Sequence, residues 1–128
     1  MKKIISLTVL LLLYATAAMA YDGITFYGAN LSARDRVNSE GVTLTTVPAI
    51  LQQDRANYYK FNKRDPQDQS DGFFTTVGKR QLFQNATIRI DPSLKKKILN
   101  GSVGLVSVWV YDDHTMEVTE GLPAQGAD

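Results

Sequence analysis

The chain has no cysteine, a single histidine and a single tryptophan. Without cysteine it can form no disulfide, no thiolate metal site and no cysteine nucleophile, so its stability has to come from packing. One imidazole, His114, leaves one residue that could act as the base of a Ser–His–acid triad, and no serine stands in a Gly-x-Ser-x-Gly elbow. An excess of either charge is lacking too, since 14 Lys and Arg face 13 Asp and Glu. That balance supplies no general field to draw in nucleic acid or anionic lipid. Neither is expected as a partner.

Long apolar runs are also scarce. The one present, Ile4 to Leu13, is broken by Ser6 and Thr8, preceded by Lys2 and Lys3, and followed by Ala18-Met19-Ala20. A basic start, a short apolar stretch and a small-x-small site are the parts of a bacterial-type export signal. The run is too short to cross about 30 Å of hydrocarbon, so cleavage is expected rather than anchoring. Residues 1–20 are therefore expected to be a signal peptide cut after Ala20, 21–121 one domain, and 122–128 a flexible tail. The expected location is the periplasm or the medium, with no stable membrane insertion after cleavage.

Beyond the signal, short apolar segments alternate with turn residues, which predicts an all-β domain. Ile24–Tyr27 reads as a first strand and the β-branched Val42–Val47 as a second, ended by Pro48. Residues 49–55 read as one helical turn or an irregular bend, and Tyr58–Phe61 as a third strand. Residues 62–72 contain almost nothing apolar and form the longest loop. Phe73–Val77 and Arg80–Phe83 read as a hairpin around Gly78-Lys79. Ala86, Ile88 and Ile90 alternate with polar residues in a half-buried strand.

Asp91-Pro92, followed nine residues later by Asn100-Gly101, carries a helix start and stop, which predicts a two-turn helix over 92–99 with Leu94 and Ile98 inward. Val103–Tyr111 is the strongest strand. Asp112–Thr115 reads as a turn and Met116–Thr119 as the returning strand. The order of strand, short helix, long strand and hairpin over 86–119 resembles the second half of an immunoglobulin-like sandwich. That resemblance implies an immunoglobulin-like antiparallel β-sandwich with one short helical crossover, although the Cys…Trp…Cys set of antibody domains is missing.

Candidate chemistry is sparse. Asp112-Asp113-His114 gathers two carboxylates and the only imidazole, but three consecutive residues point different ways, and Asp-Asp between two strands suits a turn. Asp65, Asp68 and Asp71 are spaced by three, where a calcium loop alternates its ligands. No metal, no cofactor and no catalytic residue is expected. In the long strand Val106, Val108 and Val110 share one face, and Leu105, Ser107, Trp109 and Tyr111 the other. Because tryptophan is commonly buried in sandwiches, the preferred reading places Trp109 in the core, or under a loop or the Leu94–Ile98 helix that covers the stripe. With the valines inward instead, Leu105, Trp109 and Tyr111 would form an exposed stripe able to hold a protein or a sugar.

These readings predict a non-catalytic binding domain of the bacterial cell envelope. Its partner would be another envelope or secreted protein, or a glycan. Two alternatives follow from the same residues. One is an inhibitor or immunity protein that inserts loop 62–72, with Asp65, Asp68 and Asp71, into the basic cleft of a toxin or wall hydrolase. The other is a fibre subunit donating Tyr21–Gly28 as a strand.

Overall fold

Alternating side chains turn one face of every strand toward a common core. Strand β1 (Thr25–Asn30) buries Tyr27 and Ala29, and β2 (Thr87–Ile90) adds the half-buried Ile88 and Ile90. Strand β3 (Leu105–Asp112) buries Val106, Val108 and Val110, and β4 (Thr115–Glu120) buries Met116 and Val118. The four form one sheet in the order β1-β3-β4-β2. Strands β1 and β4 run antiparallel to β3, whereas β2 runs parallel to β4, so the sheet is mixed. The computed structural model describes residues 22–123. The signal peptide read at 1–20, its cleavage site and residues 124–128 of the tail lie outside the described residues.

Three helices, α1 (Val47–Tyr59), α2 (Val77–Arg80) and α3 (Pro92–Asn100), and two 3-10 turns, Ala33–Arg36 and Gln81–Gln84, complete the described residues. Ile50 and Leu51 of α1, Leu94 and Ile98 of α3, and the stacked rings of Phe74 and Phe83 join the strand valines in one core. The helices thus cover the valine face of the sheet. An immunoglobulin-like all-β sandwich is excluded, because helices do what a second sheet would do there.

The departures in local structure lie between residues 42 and 83, and the parallel pairing of β2 with β4 is a further departure, in topology, from the expected antiparallel sandwich. Of the strand read at Val42–Val47, only a bridge between Val37 and Thr43 exists. Thr46 is instead the cap of α1, its Oγ1 accepting from Ala49 N at 3.3 Å, and Pro48 sits in the first turn, where its missing N–H costs nothing. The buried positions of α1 are Val47, Ile50, Leu51, Asp54, Arg55 and Tyr58 at helical spacing, with Asn57 buried beside them. Asp54 and Arg55 interrupt the apolar pattern that would have announced the helix. Tyr58 and Tyr59 end α1 rather than form a strand. The hairpin read over 73–83 is α2 with the turn Gln81–Gln84, capped by Thr76 Oγ1 accepting from Lys79 N at 3.2 Å.

From residue 86 onward the local reading holds. Asp91 Oδ1 accepts from Ser93 N at 2.9 Å to open α3, and Gly101 at φ 80° closes it in a conformation that favours glycine. The Arg36 guanidinium then fastens this end to the core, donating to the carbonyls of Ile98, Leu31 and Val103.

Candidate functional site

With the valine face covered by helices, the alternate residues of the strands make a second, outer face. Trp109 belongs to it, so of the preferred reading the core placement is corrected, and so is cover by the Leu94–Ile98 helix, which packs on the valine face instead. It is half-buried, while Val106, Val108 and Val110 are fully buried. The physical reason is that the central strand β3 can turn only one face toward the helices, and the valine triplet takes it.

Register aligns the outer face into a row. Phe26 on β1 pairs with Trp109 on β3, Trp109 with Glu117 on β4, and Glu117 with Arg89 on β2. Phe26 and Trp109 stack at 5.0 Å between centroids and 21° between planes, and Phe26 is 44% exposed. Trp109 Nε1 donates to Thr119 Oγ1 at 3.0 Å. The Tyr111 hydroxyl donates to Glu117 Oε1 at 2.8 Å, a bond that raises the phenol above its usual range, and the Arg89 guanidinium lies 5.0 Å from the Tyr111 ring centroid. The arrangement is an aromatic pair flanked by one acid and one base.

The segment after β4 covers the other end of this face. Ser107 Oγ donates to the Gly121 carbonyl at 2.6 Å, and Gly121 N donates to the Leu105 carbonyl at 2.9 Å. Leu122 and Pro123 then lie so close to Gly28 that an added Cβ would meet them at 2.7 and 2.9 Å. Leu105 is half-buried there. Trp109 and Tyr111 therefore belong to one neighbourhood, and Leu105 stands farther along the strand toward this covering segment.

The three loop aspartates are brought to the edge of β1 and engaged within the fold. Asp65 Oδ2 accepts from Ser32 Oγ at 2.8 Å, and Asp68 accepts from Asn30 N at 2.8 Å and Asp65 N at 2.7 Å. Gln69 exchanges two bonds with Gly28, its N donating to the Gly28 carbonyl and its Oε1 accepting from Gly28 N. Loop 65–71 thus lies along the outer edge of β1 and occupies hydrogen-bonding groups that an exposed edge strand would offer to another chain.

Asp71 reaches furthest inward. Its Oδ2 accepts from Arg55 Nη1 at 2.8 Å and Tyr59 OH at 3.0 Å, and its Oδ1 from Phe73 N and Phe74 N, both at 2.6 Å. Arg55 is fully buried, donates Nε to Asp54 Oδ2 at 2.7 Å and Nη1 to the Gln69 carbonyl, and lies 4.0 Å from the Tyr27 ring centroid. Burial alone would depress its guanidinium, but Tyr27, Asp54 and Asp71 hold it above its usual value. Burial also pushes the Asp54 carboxyl up, against the opposing pull of Arg55, and the Tyr27 phenol well above its ordinary range. Sequence reasoning passed over Arg55 and Asp54, because one acid and one base side by side look like solvated residues until the helix face is known.

Asp112-Asp113-His114 forms the turn between β3 and β4, with Asp112 Oδ1 accepting from His114 N at 2.8 Å, and all three residues are exposed. Among the described residues no three His, Asp or Glu side chains gather as a metal site would require, and no helix is long and apolar enough to cross a membrane. The chain matches no protein-family model, no curated protein and no solved structure.

Proposed function

We propose that the exported chain is a non-catalytic binding module of the bacterial cell envelope that engages another envelope or secreted protein through the outer face of its sheet. The observation that carries this reading is the Phe26–Trp109 stack. Rings that stack across neighbouring strands each hold one face against the other, which leaves less ring face for a sugar than a lone platform residue would offer. What such a pair offers is apolar edge surface for the side chains of a protein, and Arg89 and Glu117 supply the polar margin that protein interfaces use.

The alternatives have less support. An inhibitory loop needs free carboxylates, yet Asp65, Asp68 and Asp71 are engaged internally. A donated strand needs a segment outside its own sheet, yet residues 25–30 are paired with β3 along their whole length.

The test is retention of envelope proteins on immobilised mature protein, compared between wild type and a Phe26→Ala/Trp109→Ala variant shown to be folded. Loss of a discrete, saturable partner in the variant alone is the expected result. Retention on wall polysaccharide, or a partner held equally by both forms, would overturn the assignment.

A further inference from the structure

Far from the outer face, a cleft of about 370 Å³ lies between the first 3-10 turn, α1 and the turn at 38–42. Its walls are Arg34, Asn38, Ser39, Gln53, Asn57 and Lys63, with the 39%-exposed ring of Phe61 at the side. The volume falls within the range of small-ligand sites.

The lining is set from inside the protein. Asn57 is buried, and its Nδ2 donates to the Arg34 carbonyl at 3.1 Å and to Asp35 Oδ1 at 2.8 Å. That fixes the amide, so its Oδ1 accepts from Gln53 Nε2 at 2.9 Å, and Gln53 keeps its Oε1 as an acceptor beside its second amide hydrogen. Across the cleft, Asn38 Oδ1 accepts from Glu40 N and Val42 N, both at 2.9 Å, which leaves Asn38 Nδ2 as a donor beside the Ser39 hydroxyl. Gly41 at φ 80° makes this tight turn possible.

Charge then decides what fits. Arg34 and Lys63 both line the cleft, and neither forms an ion pair among the described residues. No carboxylate lines it among the described residues, since Asp35 is buried behind its bond to Asn57. Two cations and the neutral donors of Asn38, Ser39 and Gln53, set against the uncharged oxygens of Gln53 and Ser39, make a donor-rich lining. We propose that this cleft binds a small hydroxylated oxyanion, its carboxylate or phosphate held by Arg34 and Lys63 and a hydroxyl donating to Gln53 Oε1. Its ligand is separate from the protein partner assigned to the outer face.

The experiment is an amide NMR titration of the mature protein with sodium glucuronate, glucose 6-phosphate and glucose at matched ionic strength. Saturable shifts of Gly41 and of the Gln53 and Asn57 side-chain amides are expected with at least one of the acidic sugars, and none with glucose. Which acid saturates identifies the head group. Arg34→Gln and Lys63→Gln, both at exposed side chains, should each weaken binding about tenfold or more, as loss of one charged hydrogen bond does. Lys95→Gln on α3 should leave it unchanged. Shifts that fail to saturate, that glucose reproduces, or that survive the Arg34→Gln/Lys63→Gln double variant would overturn the proposal.

Discussion

Arg55 Nη1 meets Asp71 Oδ2 at 2.8 Å with both side chains entirely out of water. This pair is the pin between helix α1 and the long polar loop. Through Asp71 it organises Tyr59, Phe73 and Phe74 as well, so a segment with almost no apolar residues acquires a fixed path. Removing one member of a buried, hydrogen-bonded pair leaves the other charge uncompensated, at a cost of about 3–5 kcal/mol. Arg55→Ala is therefore expected to unfold the domain or bring it close to unfolding. Asp71→Asn should lower the urea midpoint by less, since the amide still accepts from one side. Equal stability of wild type and Arg55→Ala in urea titrations would refute the pin.

Acidity should act in an uncommon direction. Burial raises the Asp35 carboxyl from its ordinary 3.8 to about 6, against hydrogen bonds from Asn57 and Ser32 that pull it down and with nearby Asp68 and Asp65 pushing it further up. The folded state then holds the proton more tightly than the unfolded chain, so this group's contribution is full below pH 4 and is lost as pH rises through about 6, with a magnitude of about 2–3 kcal/mol. The raised Asp54 carboxyl extends the same trend to higher pH. Urea midpoints should be higher at pH 5 than at pH 7.5, and a midpoint rising steadily over that interval would contradict the argument.

Gly28→Ala tests the covering segment. A methyl group there would stand 2.7 Å from Leu122 and 2.9 Å from Pro123, closer than real contacts allow. The segment after β4 should be displaced while the sheet survives. Faster hydrogen exchange at Gly121 N, which donates to Leu105, is the expected signature, and unchanged protection would show that the segment tolerates the methyl.

The aromatic pair can be measured directly. Truncating a half-buried ring costs less than emptying a core site, so Trp109→Ala should stay folded. A double-mutant cycle with Phe26→Ala should give a coupling of about 0.5–1.5 kcal/mol, the usual worth of such a stack. Because Trp109 is the only indole, its emission should lie between buried and fully exposed values. Zero coupling would mean that the rings do not stack in solution.

Some of this protein was decided by its sequence. Asp91, Pro92 and Gly101 bracket a helix by local hydrogen bonding and φ preference alone, and the alternation in residues 105–110 makes a strand whatever surrounds it. Such signals act over a few residues and survive any tertiary setting. The remainder was decided by tertiary contacts. Val42–Val47 has strand propensity but gains only one bridge, because no partner strand lies beside it. Residues 47–59 lack a clean apolar stripe, yet they form the longest helix among the described residues because Asp54 and Arg55 find partners inside the protein that the sequence cannot place beside them. The alternation of β3 offers two faces for burial. Which of them the helices cover depends on chain segments far away in sequence, and only that choice puts the valines inside and Trp109 on the outer face.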